Sequence, residues 1–156
     1  MRSPDGIHVD WSAIGRASTR LTYVGSGMAD LLSAHDDEAN LTIGIEKAGA
    51  PLATVVAQEL DTEIAAYAPS KHRWEEERPD DLEGSFSRNF ADVSGRDCYI
   101  VDDTVTSGTT LRETINAVRN EGGNPTAAVV VVDKQGLDRA EGVSVYSLIN
   151  VIPVDQ

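Results

Sequence analysis

One segment constrains this chain more than any other: Cys98-Tyr99-Ile100-Val101-Asp102-Asp103-Thr104-Val105-Thr106-Ser107-Gly108-Thr109-Thr110. The short apolar run Cys98–Val101 predicts a buried strand, and the pattern that follows predicts a helix over Thr110–Asn120. Two adjacent carboxylates stand at the strand's end. A loop of small, hydroxyl-bearing residues then leads directly into the helix. A buried strand feeding a helix through a short loop belongs in an α/β domain, with ligands at the carboxyl ends of its strands.

The loop's chemistry suits an anion. Small side chains let the backbone N–H groups close around a phosphate, and Gly108 permits a tight turn. The following helix aims its unpaired N–H groups and positive dipole end at the same place. Hydroxyls of Thr106, Ser107 and Thr109 add donors. Asp102 and Asp103 would repel that phosphate, so they address something else: sugar hydroxyls, or a magnesium ion shared with them. Three other readings are open. A phosphoacceptor domain also places paired aspartates after a strand, but its lysine and acidic partners cannot be located. A P-loop needs Gly-x-x-x-x-Gly-Lys-Ser/Thr, which is absent. A plain structural turn does not require so many small or hydroxylated residues in a row.

The remaining pattern agrees with an α/β sheet. Leu21, Val24, Met28, Leu31 and Leu32 recur at helical spacing from Thr19 to about His35. Leu41–Ile45 reads as a strand, and a helix with Pro51 in its first turn runs to about Leu60. Further strands are expected at Glu63–Ala68, Ala127–Val132 and Val143–Val151. Residues 1–17 read as an arm and 18–156 as one domain. The polar stretch from about 69 to 90, with the acidic run Glu75-Glu76-Glu77, reads as a lid. The expected fold is therefore a mostly parallel sheet flanked by helices, with a flexible loop over the site.

Composition sets outer limits. At 156 residues with 40% apolar content, one domain can bury roughly 70% of its unfolded surface. No apolar run approaches the ~20 residues that span a bilayer, and no signal pattern opens the chain, so a cytoplasmic protein is expected. The formal net charge is −13, which repels nucleic-acid backbones. Lys47, Lys71 and Lys134 are the only lysines. An acidic, lysine-poor surface suggests a source that lives in concentrated salt. The lone Cys98 lies in an apolar run and reads as a core thiol.

Residues Val101–Thr110 resemble the phosphoribosyl-pyrophosphate (PRPP) signature of type I phosphoribosyltransferases. Gly44–Ala53 resembles the family's pyrophosphate loop, and Val132–Gly136 a segment of orotate phosphoribosyltransferases. The resemblance implies magnesium-bound PRPP and frequent homodimers, here supported by the apolar helix around Tyr23 and Met28. It implies that Asp102 and Asp103 hold the ribose hydroxyls, with any metal contact indirect. Thr104, Val105, Thr106, Ser107, Gly108 and Thr109 would hold the 5-phosphate, and the amides of Glu46, Lys47, Ala48 and Gly49 the pyrophosphate.

Transfer of a phosphoribosyl group needs cations over the departing pyrophosphate. Here Pro69 and Ser70 occupy the loop positions where the family carries arginine and lysine. Lys71, His72 and Arg73 are the weak catalytic candidates, and acidic residues follow them. Lys134 replaces an arginine, so it reads either as a ligand contact or as a solvated lysine. The pattern from His8 onward resembles haloarchaeal transcription regulators described as orotate-phosphoribosyltransferase-like. That resemblance implies an effector-sensing module for a phosphorylated sugar or PRPP, reaching DNA only through a helix-turn-helix segment that this chain lacks. The alternatives are an active orotate or purine phosphoribosyltransferase, and a subunit that kept the fold but binds nothing.

Overall fold

The computed structural model describes residues 11–70 and 84–151. Its sheet contains β1 (Leu41–Ile45), β2 (Glu63–Ala68), β3 (Ser85–Phe86), β4 (Asp97–Val105), β5 (Asn124–Asp133), β6 (Arg139–Ala140) and β7 (Val143–Asn150). The strand order is β3-β2-β1-β4-β5-β7-β6. The five inner strands run parallel, and the two-residue strands β3 and β6 close the edges in antiparallel sense. Four helices accompany them among the described residues: α1 (Trp11–Gly15), α2 (Ser18–Ser33), α3 (Gly49–Leu60) and α4 (Thr109–Asn120). The short α1 lies in the stretch read from sequence as an arm.

Both faces of the sheet are covered, as near-continuous apolar strands require. Cys98 and Ile100 of β4, with Ala128 and Val130 of β5, pack beneath Leu111, Ile115 and Val118 of α4. Their neighbours Tyr99, Val101, Ala127 and Val129 point the other way, beneath Met28 and Leu32 of α2 and Leu52 and Val56 of α3. The alternation along each strand thus separates two cores.

This layering fixes where a crevice opens. The chain leaves β1 for α3 on one face, and leaves β4 for α4 on the other. Yet β1 and β4 are direct neighbours in the sheet. Their exit loops therefore diverge and open a crevice at the carboxyl ends, the switch point of an open α/β sheet.

Several elements depart from the sequence pattern. β4 runs on through Asp102, Asp103 and Thr104 to Val105, where the sequence suggests a strand ending at Val101. The longer β5 supplies its ladder partners, Asp102 opposite Val130 and Val105 opposite Asp133. Pro125 lies in β5 where the register shifts against Cys98 and Tyr99, which is where a sheet tolerates proline. Part of the expected lid is ordered on the sheet edge. Ser87 N–H donates to Ala66 O at 2.9 Å, and Phe86 packs its ring 4.9 Å from that of Tyr67. Phe90, further along the same stretch, is 46% exposed. No helix among the described residues is long and apolar enough to cross a membrane.

Candidate functional site

The crevice between β1 and β4 is a cavity of about 410 Å³, bounded by Glu46, Lys47 and Ala48 on one side and Asp102, Asp103, Thr104 and Thr106 on the other. The two motifs singled out in the sequence, far apart in the chain, thus form one site. The peptide between Glu46 and Lys47 is cis. Gly49 explains how closely the two loops approach. A methyl group built there would lie 2.6 Å from Val101 O and 3.1 Å from Asp102 Cα. Only a residue without Cβ lets α3 begin against the end of β4.

The helices that leave this crevice offer positive ends. Neither α3 nor α4 carries an acidic residue in its first turn, and neither N-cap residue caps its helix with a side chain. Each presents its positive dipole end there, with Ala50 N–H of α3 directed to Lys47 O at 3.3 Å. At the start of α4 the chain turns at Gly108, whose φ of 86° lies in the left-handed region. Ser107 Oγ meets Thr109 Oγ1 at 3.0 Å and accepts Thr109 N–H at 3.3 Å, so the two hydroxyls share one small network. Asp102 Oδ1 accepts the N–H of Asp103 at 2.8 Å, which holds the paired carboxylates in a fixed relation.

The anion loop is shorter than the sequence suggests. Thr104 and Val105 belong to β4, and the turn proper covers 106–108. Val105 is buried in the α4-side core, and its carbonyl accepts Lys134 N–H at 2.9 Å. That bond places Lys134 beside the turn, half-buried, though it does not line the cavity. Lys71 and Arg73 lie outside the described residues.

Two supporting residues escaped the sequence reading. Arg112, one turn into α4, donates from Nη1 to Ser107 O at 3.1 Å and so steadies the turn before that helix. Asp133 is 2% exposed, and its carboxylate accepts the N–H groups of Gln135, Gly136 and Leu137 at 2.7–3.0 Å. The turn it organises brings Leu137 against Gly108. An aspartate at a strand end with a glycine three residues on is a recognisable turn signal; the arginine left no local trace. A larger cavity, about 520 Å³, lies beside β3, with Arg88, Phe90 and Glu121 in its wall. It shares no residue with the crevice.

Comparison with known proteins agrees with this geometry. The phosphoribosyl transferase domain family matches residues 10–155. A protein of Haloquadratum walsbyi called transcriptional regulator GfcR is 66% identical over 149 residues, covering 96% of this chain and 67% of the relative. The protein of that name in Methanobrevibacter smithii is 42% identical over 155 residues, covering 96% of this chain and 75% of its own. Among solved structures, an adenine phosphoribosyltransferase from Thermoanaerobacter pseudethanolicus superposes with a TM-score of 0.73 at 17% identity, over 94% of this chain and 89% of that one. The Mycobacterium tuberculosis orotate phosphoribosyltransferase in complex with PRPP gives 0.70 at 21%, over 93% and 81%. At such identities the structural likeness speaks for the fold.

Proposed function

This chain belongs to the phosphoribosyl transferase domain family as a regulator-type member, and from that premise we propose that it senses PRPP or another phosphorylated sugar. The observation that carries the proposal is the crevice itself. The loop that leads into α3 (Glu46–Ala48), the paired carboxylates and Thr106 of the turn ahead of α4 line one cavity, and neither helix has an acidic residue in its first turn. In this reading the 5-phosphate lies on the turn at Thr106–Thr109, and the sugar hydroxyls donate to Asp102 and Asp103. The amides of Glu46–Gly49 take a second phosphate where the ligand has one.

Magnesium fits this reading as an ion that arrives with the ligand. Among the described residues no group of three or more His, Cys, Asp or Glu side chains could hold a metal alone. Asp102 and Asp103 would hold it through the sugar hydroxyls, in the all-oxygen surroundings it prefers. Its chemistry there would be to neutralise phosphate charge.

Sensing is favoured over turnover by the entry to the lid. Ser70, where the family carries a cation, gives both its N–H and its hydroxyl to the carboxylate of Glu113. The site's occupancy would then pass to a DNA-binding segment. The names of the relatives support regulation, and the chain spans 67–77% of their lengths.

The test is isothermal titration in molar salt with magnesium, using PRPP and a set of pentose and hexose phosphates, with pyrophosphate release from PRPP assayed alongside. Binding without turnover is expected, and Asp102→Asn with Asp103→Asn should weaken it by about 100-fold, as for two lost charge-assisted hydrogen bonds. Nucleotide formation with orotate or a purine base would replace the sensor with an enzyme. Unchanged affinity in the double variant would remove the site.

A further inference from the structure

The lining of the crevice sets three acidic residues, Glu46, Asp102 and Asp103, against one lysine, Lys47. All three acids are half-buried, whereas Lys47 is exposed. The carboxylates of Glu46 and Asp103 accept no hydrogen bond and join no ion pair among the described residues. Half-buried acceptors in that state call for donors, which a ligand's hydroxyl groups supply and its phosphates do not.

Positive charge is distributed unevenly between the two ends of the crevice. A methyl group built on Gly108 would lie 2.8 Å from Arg112 Nη1, so the guanidinium stands directly beside the backbone of the turn over 106–108. Lys134 is held just behind that turn, through its N–H to Val105 O. This end suits a phosphate. At the β1 end Lys47 adjoins Glu46 in the chain, and the two together bring no net charge. The backbone there is partly spent as well, since Glu46 N–H donates to Tyr67 O at 2.9 Å. A diphosphate at this end would meet a carboxylate and a depleted set of amides.

Resting on the sensor reading, we propose that the ligand is a sugar monophosphate with a free hydroxyl at its anomeric carbon, and that Glu46 selects against a diphosphate there. The single phosphate lies on the turn beside Arg112, and ring hydroxyls donate to Asp102 and Asp103. The anomeric hydroxyl lies toward Glu46. PRPP would bring its diphosphate against that half-buried carboxylate, whose charge salt screens less than an exposed one. A ligand of this kind has no leaving group, so the site reads its occupancy without consuming it.

Isothermal titration of the 156-residue chain against ribose 5-phosphate, ribose 1,5-bisphosphate and PRPP, in molar salt with magnesium, tests this. Only the anomeric substituent changes along the series. Affinity should fall at each step, and by about tenfold or more overall. Glu46→Gln removes the charge and keeps an acceptor. It should raise the affinity for PRPP about tenfold and lower that for ribose 5-phosphate about threefold, since a neutral acceptor holds a hydroxyl less strongly. General damage to the fold cannot move the two in opposite directions. PRPP binding to the wild-type chain as tightly as ribose 5-phosphate would overturn the assignment and leave the sensor reading standing. So would a Glu46→Gln variant that shifts both affinities alike. Failure of all three compounds to bind would remove the sensor reading and the assignment together.

Discussion

The hydroxyl of Tyr67 donates to Glu113 Oε2 across 2.5 Å, tying the end of β2 to the helix that follows the turn at 106–108. The same carboxylate accepts Ser70 N–H at 3.1 Å and Ser70 Oγ at 2.5 Å. Gly84 is nested against the same pair, with no room for a methyl group. One carboxylate on α4 thus gathers the residues that flank 71–83.

Glu113→Ala removes the acceptor from three donors at once. It should cost about 2–3 kcal/mol of stability, since partly buried donors would be left unsatisfied. Glu113→Gln keeps one carbonyl oxygen and should lose less. Denaturant unfolding at constant salt measures both, and a loss below about 0.5 kcal/mol for the alanine variant would show that water replaces the carboxylate without cost.

Gly49→Ala places a methyl group 2.6 Å from Val101 O, a contact that backbone on both sides must relieve. Overpacking of this kind costs about 1–3 kcal/mol. The displacement falls on Asp102, so sugar-phosphate affinity should drop more than tenfold, about 1.4 kcal/mol. Titration beside a thermal melt separates the two effects. A variant that is destabilised yet binds normally would detach Gly49 from the site.

Asp133→Ala leaves three backbone N–H groups without their acceptor, and should destabilise by about 3 kcal/mol. Asp133→Asn should recover only part of this loss, because its amide nitrogen cannot accept the Leu137 N–H. Backbone chemical shifts of 106–109 should move in both variants, since Leu137 lies against Gly108 in that turn. Unmoved shifts would show that the two loops are independent.

Cys98 is fully buried, and burial pushes its thiol up from the ordinary 9.0 to about 11, with Arg96 pulling weakly the other way. Native protein should therefore resist alkylation at pH 8 and react only after unfolding. Linkage gives the sign of the pH effect. Above pH 9 the unfolded thiol releases its proton while the folded one keeps it, so stability falls from pH 9 toward 11. Cys98→Ala should flatten that slope in denaturant melts taken across the interval. An unchanged slope would assign it to other groups.

Much of this was legible in the chain. β1 and β2 lie where their apolar runs predict, and α4 begins one residue ahead of its expected start. Gly108 shows its turn in the sequence because a positive φ demands such a residue. The crevice residues were legible as two separate motifs. Their meeting was not, since no periodicity indicates that β4 inserts beside β1. Arg112 and Glu113 were hidden for a similar reason: each is one polar residue on an amphipathic helix, and its partners come from other elements or from the turn before the helix.

The sequence by itself determined the α/β class, the tight turn at Gly108 and the paired carboxylates, because these depend on side-chain type and spacing within a few residues. Tertiary structure alone decided that β4 continues to Val105, that β3 and β6 close the edges, and that Glu46–Gly49 faces Asp102–Thr106. Strand length and edge pairing depend on the hydrogen-bonding neighbour, and that neighbour is distant in the chain. The crevice arises from helices leaving on opposite faces of adjacent strands, a relation that exists only once the sheet has formed.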